Sequence, residues 1–208
     1  MAREKKKYRI SPRALGFIAA GAFLLMTPYF VTHEGYGGKT LIAAESNNPP
    51  FDKTLILVGR HNIDGATGFI VNKPLPEDMR ARLSPFIRDA GIPVGYGGPL
   101  EVTEKIFVLE EKKPPATRAP PDFDISAWDD AVKATPDLLD RIRQSTQKGE
   151  QRYRVLTGTV GWGPFQLESE VLVRKNWRAI PSTHDIVFQN GGAAHWDILQ
   201  QKQKKPKN

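Results

Sequence analysis

The sequence predicts an α+β fold with a mixed, mostly antiparallel sheet. Short β-rich runs recur along the chain, and the helical segments between them are few and irregularly spaced. Two of these runs are separated by five residues that include Asp64-Gly65, a pair typical of hairpin turns. Apolar residues make up 39% of the 208 residues, so the chain can bury an ordinary core in one domain.

The positive charge is concentrated at the two ends of the chain. The net charge is +7, but residues 1–13 contribute +5 and residues 201–208 contribute +4, which leaves about −2 for the rest. A nucleic-acid-binding domain would carry its basic footprint on the folded part. We therefore expect a basic cytoplasmic tail at residues 1–13 and a basic disordered tail at residues 201–208, and the pattern disfavours nucleic acid as a partner.

An uncharged apolar run occupies residues 14–31. As a helix it would be about 27 Å long, close to the ~30 Å of bilayer hydrocarbon. Six basic residues precede it, so the amino end should stay in the cytoplasm. We expect a single-pass helix in the inner membrane, with the globular domain in the periplasm. A cleaved signal peptide followed by secretion is the alternative.

The globular domain is expected at residues 39–200, after a glycine-rich linker at residues 32–38. Its strands are predicted where β-branched and aromatic residues cluster between turn residues. In order, they are Lys39–Glu45, Thr54–Arg60, Ala66–Asn72, Val94–Gly98, Lys105–Leu109, a short strand within Asp122–Val132, Tyr153–Val160 and Asn176–Pro181.

Helices are predicted from apolar spacings of three and four residues and from capping signals. Glu77–Ala90 has this spacing, and Pro85 is expected to kink or divide it. Thr135–Gln147 begins with a threonine cap followed by proline, and Gly149 ends it. Ala193–Gln201 is the last predicted helix.

The phrase G-W-G-P around Trp162 is predicted to be a strand-to-helix corner. Flanking glycines allow the sharp turn, and Pro164 fits the first position of the helix that follows. Helical spacing would direct Leu167 to the core and would let Glu168 and Glu170 reach water.

The phrases H-N-I-D-G-A-T-G-F-I-V-N-K-P-L, Y-G-G-P-L and G-T-V-G-W-G-P-F-Q-L-E-S-E follow one another in this order. Together with G-K-T-L-I-A-A they resemble the YqgE/AlgH family of bacterial proteins, over residues 38–199. The resemblance implies a sheet that curls into a partial barrel flanked by helices. It implies no settled biochemical activity, although the family name links one member to transcriptional control of an exopolysaccharide. The predicted membrane segment departs from the family pattern, and a domain outside the cytoplasm could not contact DNA.

Eight residues of these motifs are candidates for a ligand pocket. They come from the ends of the hairpin, a glycine turn, the corner and the strand after it: His61, Asn72, Lys73, Gly97, Gly98, Trp162, Gln166 and Trp177.

Several candidates also have a purely structural interpretation. Trp162 could simply fill the core beneath the strand-to-helix corner. Histidine titrates near neutral pH, so His61 could be a general base, but no acid partner is evident and a local turn hydrogen bond is the alternative. Asn72 could instead satisfy backbone groups at a strand end. Gly97 and Gly98 are expected to supply positive φ angles, and Gln166 to lie on a helix surface.

The sequence predicts no catalytic residue, metal site or cofactor. It has no cysteine, no G-x-S-x-G elbow, and no histidine pair at metal-ligand spacing. We expect a membrane-anchored, non-enzymatic binding or regulatory module for an unknown protein or small molecule. The alternative is a cryptic hydrolase-like enzyme with a pocket near His61 and Trp162. An acid bonded to the imidazole in a cleft shared with Asn72 would favour that alternative.

Overall fold

The computed structural model describes residues 35–111, 123–129, 135–189 and 192–204. The strands in these ranges are β1 (Lys39–Ala43), β2 (Leu55–Asn62), β3 (Gly65–Ile70), β4 (Val94–Tyr96), β5 (Lys105–Glu111), β6 (Phe123–Asp129), β7 (Tyr153–Thr157), β8 (Val160–Trp162) and β9 (Trp177–Pro181). The helices are α1 (Glu77–Arg80), α2 (Pro85–Arg88), α3 (Pro136–Lys148), α4 (Gln166–Glu168), α5 (His184–Phe188) and α6 (Gly192–Lys204), and a π-helical turn (Ser169–Val173) follows α4.

The described strands form two sheets. One has five strands in the order β8-β3-β2-β1-β9, and every neighbouring pair is antiparallel. The other has four strands in the order β4-β7-β5-β6, in which β4 and β7 run parallel and the other pairs run antiparallel. The predicted α+β class with mostly antiparallel pairing is confirmed.

The β2–β3 hairpin closes over a two-residue turn, Ile63-Asp64, one residue earlier than the Asp64-Gly65 pair indicated. Asn62 stabilises the turn, because its side-chain Oδ1 accepts a hydrogen bond from the Asp64 N–H at 3.1 Å. Gly65 follows with φ of 127°. The hairpin itself is therefore confirmed.

The core lies on both faces of the five-stranded sheet. Four successive residues of β2, Leu55 to Val58, are fully buried, as expected for a strand covered on both sides. Phe69 of β3 contacts Phe107 of β5 with ring centroids 5.0 Å apart, so the two sheets pack together through aromatic side chains. On α6, Trp196 is buried and its indole N–H donates to the Ala43 carbonyl at 2.9 Å.

Local helix signals are confirmed where they are strongest. Thr135 caps α3, since its hydroxyl accepts from the Leu138 N–H at 3.3 Å, and Gly149 ends the helix with φ of 71°. Pro85 divides the predicted Glu77–Ala90 helix into α1 and α2, because proline cannot donate an intrahelical hydrogen bond.

The predicted strand Tyr153–Val160 is wrong as one element. It ends at Thr157, and Gly158, with φ of 83°, carries the chain from the four-stranded sheet to β8 in the other sheet. Trp162 therefore lies in a strand and not in a turn. The next helix starts at Gln166, two residues after Pro164, because Phe165 has a φ of 60° that is incompatible with a helix.

The described strands form two sheets and no closed barrel. The five-stranded sheet curls enough to bring its two edge strands together, with the rings of Trp162 and Trp177 6.4 Å apart. Among the described helices, none has the length and apolar character to cross a membrane. The predicted membrane segment, residues 14–31, lies outside the described residues, as do the tail at residues 1–13 and residues 205–208. The disordered tail predicted at residues 201–208 is wrong for residues 201–204, because α6 continues to Lys204.

We expect Gly98→Ala to destabilise the protein by about 3 kcal/mol or more. The φ of Gly98 is +150°, and a Cβ there would collide with the backbone of Thr159. Gly91→Ala is the matched control, because its φ of +68° costs about 1–2 kcal/mol while nothing lies within 4 Å of the added Cβ. Urea unfolding measures both variants, and equal losses of stability would contradict the close approach at Gly98.

Candidate functional site

A cleft of about 470 Å³ lies where the two edge strands of the five-stranded sheet approach each other. Trp162 of β8 and Trp177 of β9 meet edge to face, with ring centroids 6.4 Å apart. We call this cavity the edge cleft. Its walls are residues 46–51, strand β8 and four side chains from the following segment, Gln166, Glu170, Asn176 and Trp177.

Glu170 holds the edge cleft together. Its Oε2 accepts hydrogen bonds from the indole N–H of Trp162 at 3.2 Å and from that of Trp177 at 2.7 Å. Its Oε1 accepts from the Gln166 side-chain amide at 2.9 Å. A carboxylate has about four lone-pair sites, so one acceptor position remains for a ligand. Three of the eight predicted residues therefore meet around one acid.

The loop at residues 46–51 forms the outer wall and is fixed at both ends. Lys73 donates to the Pro50 carbonyl at 2.8 Å and to the Asp52 carboxylate at 2.8 Å. The hydrogen bond from Lys73 lowers the pKa of Asp52 below its usual value. On the other side, the Asn47 side chain donates to the Asn176 carbonyl at 3.1 Å. Lys73 thus supports the edge cleft from outside it.

His61 is bonded at both ring nitrogens and lies outside the edge cleft. Its Nδ1 accepts from the Tyr36 N–H at 3.0 Å, so the imidazole proton resides on Nε2 and is donated to Glu168 Oε1 at 2.7 Å. The two side chains are 7% and 5% exposed. An acid partner therefore exists, but the pair does not line the edge cleft, and both nitrogens already have hydrogen-bond partners.

The expectation that Glu168 reaches water is wrong: the residue is 4% exposed. Its helix starts later than predicted, and the π-helical turn that follows departs from regular α-helical spacing. Leu167 is buried as predicted, and the next residue, Glu168, is buried beside it because its carboxylate bonds His61.

Both the oxygen and the nitrogen of the Asn72 side-chain amide make hydrogen bonds to backbone groups. Its Oδ1 accepts from the Leu55 N–H at 2.8 Å, and its Nδ2 donates to the carbonyls of Lys53 at 2.8 Å and Gly192 at 3.2 Å. The side chain thereby joins the start of β2, the end of β3 and the start of α6. Asn72 and Lys73 also line a second cavity, of about 450 Å³, which is separate from the edge cleft.

Gly97 and Gly98 allow the chain to pass close to a neighbouring segment. Gly98 has the predicted positive φ, but Gly97 does not, and a Cβ on Gly97 would collide with the Gly158 carbonyl. The Gly97 N–H donates to the Thr157 carbonyl at 2.7 Å. This pair therefore packs the backbone of β4 against the β7–β8 connection, away from both cavities.

The structure brings Trp162, Gln166 and Trp177 together and separates them from His61, from the Asn72-Lys73 pair and from the glycines. Sequence reasoning missed Glu170 and Glu168, the two acids that bond the tryptophans and the histidine. The sequence signal that could have found them is the occurrence of two acids within a few residues of the G-W-G phrase. Within the described ranges, no cluster of three or more His, Asp or Glu side chains could hold a metal ion.

Comparison with known proteins gives one consistent family. A family model described as AlgH-like matches residues 40–207. A UPF0301 protein of Paracoccus denitrificans is 35% identical over 176 residues, covering 76% of this chain and 85% of its own. A UPF0301 protein of Methylococcus capsulatus is 32% identical and covers 72% and 78%, respectively.

Two solved structures share the fold. The solution structure of the AlgH protein from Pseudomonas aeruginosa has a TM-score of 0.56 at 19% identity, covering 84% of this chain and 92% of its own. A crystal structure of protein DIP2367 from Corynebacterium diphtheriae has a TM-score of 0.51 at 18% identity, covering 86% and 94%. At these identities the likeness establishes the α+β fold alone.

We expect His61→Ala to cost about 3–5 kcal/mol of unfolding free energy, because it leaves the Glu168 carboxylate buried without a partner. Glu168→Gln should cost less, about 1–2 kcal/mol, since its amide oxygen can still accept from Nε2 of His61. Urea unfolding measures both. The double variant His61→Ala, Glu168→Gln should recover part of the loss, and strictly additive losses would contradict a coupled pair.

Proposed function

The chain belongs to the AlgH-like family, and on that premise we propose that its folded domain is a non-enzymatic binding module. It takes an extended segment of a partner protein into the edge cleft. The proposal rests on one observation: both edge strands of the five-stranded sheet border the same polar cleft. Open sheet edges recognise peptides by adding a strand, because their outward backbone groups need partners.

The backbone of β9 presents such groups. The Ala44 N–H donates to the Asn176 carbonyl at 2.9 Å, so Asn176 faces β1. In an antiparallel ladder, successive residues alternate in direction. Trp177 and Ala179 therefore point their N–H and C=O groups away from β1, along the open side of the sheet.

The same argument applies to β8. Asn62 and Gly65 close the β2–β3 hairpin, and their backbone N–H and C=O groups face each other. The backbone groups of the next residue, Ala66, therefore face β8, where Ala66 pairs with Trp162. Gly161, one residue earlier on β8, then directs its N–H and C=O away from β3. Gly161 is exposed and lines the edge cleft.

The two edges have the right relative direction for one added strand. Four antiparallel steps separate β8 from β9 in the sheet, so these two strands run in the same direction. A peptide running opposite to both would be antiparallel to each. The remaining acceptor position of Glu170 can receive an N–H from its backbone or side chains.

The alternative, a hydrolase-like enzyme that uses His61 beside Trp162, is less well supported. The bond to Glu168 would favour it, but His61 does not line the cleft that contains Trp162. A general base must reach the proton that it removes, and both nitrogens of this imidazole are engaged in the interior.

We expect a random peptide library, panned against the full protein, to enrich peptides that bind the edge cleft. Asn48→Trp, at an exposed position of the cleft wall, should weaken the enriched peptides at least tenfold by filling the cleft, which is about 1.4 kcal/mol. Gln144→Trp, at an exposed position of α3, is the matched control and should leave the affinity unchanged.

Hydrogen exchange distinguishes strand addition from other modes of binding. Peptide binding should slow exchange of the Gly161 and Trp177 amides, because these N–H groups gain acceptors. The proposal fails if no peptide is enriched, if Asn48→Trp binds as the wild type does, or if protection appears elsewhere.

As a separate proposal, which rests on the sequence, residues 14–31 hold the domain at the inner membrane. The protein should then stay in the membrane fraction after a high-salt wash, because salt screens charge but not apolar insertion. Release by salt would indicate attachment through the basic tails alone. Recovery in the soluble periplasmic pool with a shortened amino terminus would instead indicate the secreted alternative.

A further inference from the structure

The second cavity, of about 450 Å³, shares no lining residue with the edge cleft. We call it the arginine cavity, after Arg154 of β7. Its volume is within the ~300–1,000 Å³ typical of small-molecule sites. Buried apolar side chains from four elements and from the loop before β4 form its wall: Ile92, Val94, Ile142, Val155 and Phe188. An apolar ligand body would find a preformed surface there.

The charge on this cavity is entirely positive. Among the described residues that line it are three cations, Lys73, Arg80 and Arg154, and no carboxylate. Lys73 is neutralised by Asp52 at 2.8 Å. Arg80 lies 3.4 Å from Glu77, a pair on the surface that is worth little. Most of the unbalanced charge therefore belongs to Arg154.

Arg154 is half-buried and has no carboxylate partner among the described residues. Its Nη1 donates to the carbonyls of Val187 at 2.9 Å and Gln189 at 3.5 Å, and its Nε atom is buried without a hydrogen-bond partner in the described ranges. Within the described part of the chain, no carboxylate oxygen lies within 4.0 Å of its guanidinium. Burial lowers the pKa of Arg154 to about 10, which leaves it charged at neutral pH.

We propose that the arginine cavity binds a small amphipathic monoanion, an acyl or aryl carboxylate. The carboxylate pairs with Arg154, whose planar guanidinium suits a two-oxygen acceptor. The apolar part of the ligand packs against the wall formed by Ile142, Val155 and Phe188. Such a ligand supplies the counter-charge that the fold itself does not provide.

Octanoate is the probe for this site, and titration calorimetry on the full protein measures it. We expect saturable binding of octanoate, at least tenfold weaker binding of the neutral octanol, and no detectable binding of octylammonium. Inorganic phosphate should compete poorly, because it cannot use the apolar wall. Equal binding of octanoate and octanol, displacement by equimolar phosphate, or absence of saturable octanoate binding would overturn the proposal.

Two variants locate the site. Arg154→Gln should weaken octanoate binding at least tenfold while leaving octanol binding unchanged. Thr146→Trp, at an exposed position of α3 that lines the cavity, should block both ligands without removing the arginine. Gln144→Trp, exposed on the same helix but not lining the cavity, is the matched control. If Arg154→Gln fails to fold, Thr146→Trp decides, and wild-type octanoate affinity in that variant overturns the assignment.

Discussion

The carboxylate of Glu170 is the interaction on which the described site depends. It accepts hydrogen bonds from two indoles that belong to opposite edges of one sheet, at 3.2 and 2.7 Å. Glu168, two residues earlier, bonds His61 of β2. Residues two apart on a helix point to nearly opposite sides. This short helical segment therefore bonds the interior of the sheet through Glu168 and the two edge strands through Glu170. Hydrogen bonds to a charged group are about twice as strong as neutral ones, which makes this segment a rigid support for the edge cleft.

Asn72 and Lys73, which follow β3, also fix two different parts of the fold. Asn72 is buried and bonds the backbone of Leu55, Lys53 and Gly192, whereas Lys73 reaches outward to Pro50 and Asp52. The first side chain fixes the elements behind the arginine cavity, and the second fixes the loop in front of the edge cleft. Both residues follow β3, which ends at Ile70, and their side chains bond different parts of the fold. The two cavities therefore share a support although they share no lining residue.

The sequence predicted those parts of the fold that depend on local signals. The β2–β3 hairpin, the Thr135 cap, the Gly149 stop and the division at Pro85 each require a few adjacent residues. The break at Gly158 was not predictable in this way, because β-forming residues stand on both sides of one glycine. Glu168 was misjudged because its burial depends on a bond to His61, 107 residues earlier. The candidate list contained both tryptophans but lacked their acid, since no short-range spacing reveals which carboxylate two distant strands will share.

The net charge of the chain does not reveal the charge of either cavity. The chain between its basic ends is nearly neutral, yet its two cavities differ in sign. The edge cleft is centred on a carboxylate with an acceptor position to spare, so it suits a ligand rich in N–H groups. The arginine cavity contains three cations and no acid among the described residues that line it, so it suits an anion. Opposite charges that cancel in the net charge still act separately at their own sites. Physiological salt screens the interaction between exposed charges that are more than about 8–10 Å apart, and it screens buried groups much less. Recognition by this domain therefore depends on where single charges are held: side-chain donors hold the Glu170 carboxylate, and backbone carbonyls hold the Arg154 guanidinium.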